Sequence, residues 1–214
     1  MKRAQFAIFN FLLCACALTF FTLPLRAQNE TSWISSLQSV PVQRAALALS
    51  RRAATQFLAD KTIITPPQNL PTALNRRAAV FVTIEKRGQI APRGCRGTLQ
   101  PITSTLAQEI IRNTVAACTR DAQQPPLRKN ELPNCLFSLT VVTRVQPISN
   151  LSQHDATRNG LIAQNGSRIG VVLPFEGRDA RTQLSWARRK AGLRDHERAQ
   201  LFELFAVRFR EMSQ

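Results

Sequence analysis

The pair Asn165-Gly166 limits what this chain can fold into more than any other two residues. It separates the short apolar run Gly160–Gln164 from Ser167–Leu173, which is rich in Val and Ile. Asn-Gly suits a tight primed turn, because both residues accept positive φ. The segment therefore reads as a β-hairpin, and a hairpin commits this part of the chain to antiparallel pairing. Two further strands are expected. Ala79–Ile84 is short, apolar and β-branched, and Leu136–Ile148 alternates and is rich in Val and Thr. Helices are expected between them. Val42, Ala45, Ala46, Leu49, Ala53 and Phe57 recur at helical spacing after Pro41, which predicts a helix over 41–59. Leu106, Ile110, Val115 and Cys118 predict a second over 104–118, capped by Ser104 or Thr103. A third runs over 179–191 and stops at Gly192. Pro66, Pro67 and Pro71 make 60–77 a connector, and 119–134 is a polar, Pro-containing loop. Residues 201–209 fit an amphipathic helix and a strand equally well. Helices and strands mix without regular βα alternation, which favours α+β over a doubly wound sheet.

The N-terminus has a different character. Lys2 and Arg3 precede an apolar run from Phe6 to Leu25, and Leu25-Arg26-Ala27 offers a small residue for cleavage. The pattern is that of a secretory signal peptide over 1–27, so the mature protein is expected to be exported, periplasmic or secreted. Two other readings stand beside it: an uncleaved membrane anchor, and lipoprotein processing near Leu13-Cys14-Ala15-Cys16. Residues 28–40 read as a polar, mobile lead-in, leaving 41–210 as the folded domain. No second apolar run is long enough to span a membrane, so the mature protein is expected to be soluble. With 44% hydrophobic and 20% charged residues, wholesale disorder is excluded. The net charge of +16 falls to +13 without Lys2, Arg3 and Arg26. Such an excess favours an anionic partner, and it equally describes a solvated surface.

Arg93-Gly94-Cys95-Arg96-Gly97-Thr98 carries most of the chemistry. Two glycines permit a tight turn and close backbone approach. Guanidiniums on both sides would stabilise a thiolate on Cys95, and exposed main-chain N–H groups would hold an anion. The bland alternative is a Gly-rich bend with a packed cysteine.

These residues and their order identify a resemblance to the AMMECR family, whose hallmark is a strand, a Gly turn and an LRGCIGT-like segment. The matches run from the Val80 strand through RGCRGTLQP, Asp121, Pro125-Pro126-Leu127 and Glu131-Leu132. They continue through Thr143 and Pro147-Ile148, the hairpin, and Lys190-Ala191-Gly192-Leu193. There are three departures: Ala91-Pro92 is inserted before the motif, Arg96 replaces an apolar residue, and the export signal is atypical. The resemblance implies an α+β fold of two unequal subdomains sharing a mostly antiparallel, barrel-like sheet flanked by helices, with the motif beside their cleft. It also implies that 201–210 is a final strand. Cytosolic relatives are associated with a Memo-like, dioxygenase-related protein and a radical-SAM protein, which implies modification chemistry. The resemblance brings no cofactor.

Two functional readings follow. The first is a binding module in which Arg93, Gly94, Arg96, Gly97 and Thr98 hold an anionic small molecule or a protein partner, with Asp121 and Glu131 at matching family positions. The second is an acyl- or group-transfer enzyme with Cys95 as nucleophile and His154 as its base; a surface role is the other reading of His154. Arg178, Arg181, Arg188, Arg189 and Arg194 make the C-terminal region basic. With only Trp186 nearby, the region lacks the interleaved aromatics of a single-strand binder, which weighs against nucleic acid. No CxxC occurs and His154 and His196 are the only histidines, so no metal site is expected. Cys118 and Cys135 flank a loop; they read either as a disulfide or as two buried thiols.

Overall fold

The computed structural model describes residues 22–212 except 90, 122, 123 and 178. Most of the expected signal segment and Arg178 therefore lie outside the described residues. No described helix is long and apolar enough to cross a membrane.

Helix α1 covers Thr22–Leu37 and α2 covers Val40–Asp60. Part of the expected lead-in is thus helical and packed. Trp33 and Leu37 are buried, the Trp33 indole N–H donates to the Ala73 carbonyl at 3.0 Å, and the Arg76 guanidinium covers the ring. A polar stretch was misleading here, because two large apolar side chains suffice to dock one helix face. Pro41 sits in the first turn of α2, where its missing N–H costs nothing.

Strand β1 spans Val80–Lys86 and β2 spans Pro92–Gly97. Helix α3 spans Leu106–Thr119. Its N-cap is Thr105 rather than Ser104 or Thr103. The Thr105 hydroxyl accepts from Gln108 N, and the Gln108 side chain accepts from Thr105 N. The two earlier hydroxyl residues lose because the buried Glu109 carboxylate, at 2.6 and 2.5 Å from the N–H groups of Ile102 and Thr103, fixes the chain ahead of the cap. Strands β3 (Cys135–Ile148), β4 (Gly160–Asn165) and β5 (Arg168–Val172) follow. Helix α4 (Ala180–Lys190) and strand β6 (Gln200–Arg210) complete the chain.

The sheet order is β2-β1-β3-β6-β4-β5, and every neighbouring pair is antiparallel. β6 is central, which settles the ambiguity of 201–209 in favour of a strand. The long β3 bulges between Val142 and Arg144 and bends. The sheet curls until Phe81 and Cys95 from one edge share a small cluster with Ile162, Leu173 and Val171 from the other. The larger core lies on the outer face, under α1, α2 and α3. Alternation sorts the two sides along β1: Val80, Val82 and Ile84 face the large core, while Phe81 and Thr83 face inward. α4 packs on β4 and β5 and closes the smaller half.

Candidate functional site

The hexapeptide is not a turn. Residues 92–97 form edge strand β2, registered Cys95 to Thr83 and Gly97 to Phe81. One extra residue interrupts that register: Glu85 pairs with Pro92 and Ile84 with Gly94, leaving Arg93 unpaired as a bulge. The bulge lies beside the Ala91-Pro92 pair, and Pro at the start of an edge strand forfeits no ladder bond.

The glycines are required by close packing rather than by a turn. A Cβ on Gly94 would sit 2.3 Å from the Ala117 carbonyl oxygen, so only glycine lets α3 lie on β2. A Cβ on Gly97 would sit 2.4 Å from the Phe81 ring. The Cys95 N–H is not open to an anion either. The outward N–H of Cys95 donates to Asp121 Oδ2 at 2.8 Å, so Asp121 satisfies the sheet edge.

The side chains of Arg93, Cys95 and Arg96 part company. Arg93 is buried and turns to the helix side. Its Nε and Nη2 donate to the two Glu131 carboxylate oxygens, both at 2.9 Å, and its remaining bonds go to the carbonyls of Pro125 and Pro126. The pairing holds the Glu131 carboxyl down at about 2. Arg93 and Glu131 thus staple the loop before β3, with four of the five guanidinium N–H donors committed. Cys95 points the other way, into the inner cluster, with the Thr83 hydroxyl 3.4 Å from its sulfur. Burial pushes the Cys95 thiol up, the reverse of the thiolate stabilisation expected from flanking arginines. The arginines are sequence neighbours of the thiol, but the pleat and the bulge turn Arg93 away from it. Thr98 has a buried hydroxyl with no hydrogen-bond partner among the described residues.

His154 does not serve Cys95. It is buried, not on the surface, and both ring nitrogens are committed: Nε2 to Gln183 Oε1 at 2.7 Å and Nδ1 to Glu203 Oε1 at 3.1 Å. The Gln183 amide nitrogen in turn donates to the carbonyls of Ala156 and Glu176. This network ties the loop before β4 to α4 and β6. Cys118 and Cys135 are free and buried, with no disulfide between them, and desolvation pushes the Cys118 thiol up to about 12. In the basic C-terminal region, Arg188 is spent on the carbonyls of Arg194, Asp195 and Glu197. The described residues contain no metal-type cluster of His, Cys, Asp and Glu.

Arg96 has a different setting. It lies on the α3 side of β2, and its Nε and Nη2 donate to the Arg120 carbonyl at the end of α3, the former at 2.6 Å. Arg120 also lines a groove of about 570 Å³ between α3 and the extended segment after α2. Ile63, Ile64 and Pro66 form one wall; Ile111, Val115 and Ala116 form the other. Thr103, Ser104 and Gln108 lie at one end, and Arg112 adds a second guanidinium. None of the lining residues is acidic. The size and the mostly apolar wall with a few polar groups match small-molecule sites. Sequence reasoning missed this groove. The available signal was Ile63-Ile64, two large aliphatics in a Pro-rich connector, of which Ile63 is 61% exposed.

The AMMECR1 family model matches residues 47–211. The chain belongs to the AMMECR1 family. A protein of Thermofilum pendens is 36% identical over 165 residues, covering 69% of this chain and 77% of that one. A protein of Thermotoga maritima is 37% identical over 135 residues, covering 61% and 76%. The crystal structure of an uncharacterized protein from Pyrococcus horikoshii superposes with a TM-score of 0.72 at 27% identity, covering 78% of this chain and 89% of that one. AMMECR1 membership thus brings a shared α+β fold, with the RGCRGT segment inside the matched region, and no stated activity.

Proposed function

We propose that this AMMECR1 protein is a binding module for an anionic small molecule, held where Arg96 and Arg120 meet at the end of the α3 groove. The observation that carries the reading is the groove itself: a ligand-sized space, free of acidic lining, lined by Arg120, whose carbonyl holds the one motif arginine not consumed by a carboxylate. A guanidinium anchored on a main-chain carbonyl is pre-organised, so little side-chain entropy is lost when an anion arrives. The hexapeptide then acts as scaffold. Gly94 seats α3, Arg93 and Glu131 lock the loop, and β2 presents Arg96.

A nucleophilic role for Cys95 has less support. Its thiol is desolvated, its hydrogen-bond partner is a threonine hydroxyl, and no carboxylate or imidazole hydrogen-bonds its sulfur among the described residues. The export reading belongs to the same proposal. A chain beginning at Gln28 keeps Trp33 and Leu37, the buried anchors of α1; mass spectrometry of the mature N-terminus tests it. The binding reading is tested by calorimetric titration with butanoate and with inorganic phosphate. Saturable millimolar binding that Arg96→Ala removes supports it, and equal heats for wild type and variant reject it.

A further inference from the structure

Three features outside the motif invite a role: the buried His154 network, the exposed Phe175 in a left-handed conformation, and the α3 groove. The His154 network is saturated by its own partners. Phe175, at φ 75°, packs against the Arg208 guanidinium, which occupies its ring face. The groove carries the inference furthest.

We infer that the groove binds an unbranched apolar chain ending in a carboxylate, with the chain along α3 and the carboxylate at Arg96 and Arg120. This rests on the anion reading above and names the ligand class.

Shape is the first argument. The lining stripe of α3 runs from Gln108 to Arg120, twelve residues apart in sequence, or about 18 Å at 1.5 Å per residue. A compact polar metabolite would leave most of that length unfilled. Surface chemistry is the second. Between the hydroxyl end and Arg120 most of the facing side chains are apolar, namely Ile63, Ile64, Pro66, Ile111, Val115 and Ala116, with Thr65 and Arg112 the polar exceptions. A peptide backbone laid there would lose hydration of most of its amides with few side-chain partners in return, whereas a hydrocarbon has no polar groups to desolvate. Charge is the third. Arg112 and Arg120 line the groove, Arg96 is bonded to the Arg120 carbonyl, and no acidic side chain lines it. A head group that is anionic and planar matches the fork of a guanidinium. Exposure is the fourth. An isoleucine left 61% exposed at the rim is covered when a chain fills the groove.

The experiment is a calorimetric titration of the full chain with butanoate, octanoate and dodecanoate, each below its micelle-forming concentration. Dodecanol, dodecylamine and the variants Arg96→Ala and Val115→Trp complete the set. Val115→Trp fills the groove midway, and circular dichroism confirms that each variant is folded. The inference predicts affinity rising about two- to fourfold per added CH2. It predicts dodecanol and dodecylamine at least about tenfold weaker than dodecanoate, and Val115→Trp reducing dodecanoate to the affinity of butanoate. Equal affinity for all three carboxylates, still lost in Arg96→Ala, leaves the anion site standing and overturns the chain. Dodecanol binding as tightly as dodecanoate overturns the carboxylate. No detectable binding of any carboxylate overturns both readings.

Discussion

Replacing Arg93 by Ala should destabilise the fold without touching the ligand site. The guanidinium makes four hydrogen bonds, two of them to one carboxylate, and the residue is only 9% exposed. Truncation strands Glu131 and frees the carbonyls of Pro125 and Pro126. Removing one partner of a fully buried pair costs about 3–5 kcal/mol; Glu131 keeps some solvent contact, so about 3 kcal/mol is expected here. For a domain of this size that lowers Tm by roughly 6–12 °C. The effect should depend on pH with a definite sign. The Glu131 carboxyl is held at about 2 in the folded protein against an ordinary 4.5. A depressed carboxyl contributes stability above its unfolded value and loses it as pH falls through the folded one. The gap between wild type and Arg93→Ala should therefore be widest near neutrality and shrink between about pH 4.5 and pH 2. Urea unfolding followed by circular dichroism at pH 7, 4 and 2.5 measures it. A loss below about 0.5 kcal/mol at pH 7, or a gap that does not change with pH, would refute the staple.

Three further outcomes follow from the packing. Gly94→Ala should cost about 2–3 kcal/mol in urea unfolding, because the new Cβ meets the Ala117 carbonyl and α3 must shift; a neutral result would show that α3 is not seated on β2. His154→Ala should cost about 3 kcal/mol in thermal unfolding, because Glu203 and Gln183 lose their shared partner, while iodoacetamide labelling of Cys95 stays unchanged; altered labelling would restore His154 as its base. At pH 8 Cys95 should react about tenfold slower than a free cysteine peptide, and non-reducing peptide mapping should find no Cys118–Cys135 linkage; fast labelling or a linked peptide counts against the site as described.

The strands and helices were legible because their periodicities are local. Asn165-Gly166 announced the β4–β5 hairpin, although the turn itself falls one residue later, on Gly166-Ser167, because Asn165 pairs with Arg168 at the end of β4 and only Gly166 takes positive φ; the spacing from Val42 to Phe57 announced α2. The misread elements depend on partners distant in sequence. Trp33 gives no local sign that it will meet Ala73, so α1 read as a polar lead-in. The hexapeptide read as a turn because glycines serve turns and close contacts alike, and only the position of Ala117 decides between them. Arg93, Cys95 and Arg96 read as one electropositive thiol site because sequence adjacency hides the pleat. A strand sends neighbours to opposite faces, and the bulge at Arg93 adds a further break. His154 read as a surface residue or a base because Gln183 and Glu203 lie 29 and 49 residues away. The groove was invisible for the same reason: its two walls come from separate elements, and only Ile63-Ile64 betrayed one of them.

Dodecanoate affinity measured by calorimetry on Arg93→Ala and Arg96→Ala side by side tests the central claim most directly. The two arginines flank the same cysteine, and any account based on a basic turn ranks them together or puts Arg93 first. The groove account predicts that Arg96→Ala weakens dodecanoate at least about tenfold, while Arg93→Ala, assayed at a temperature where it is folded, binds within about twofold of wild type. Loss of binding in Arg93→Ala with Arg96→Ala unaffected would contradict it.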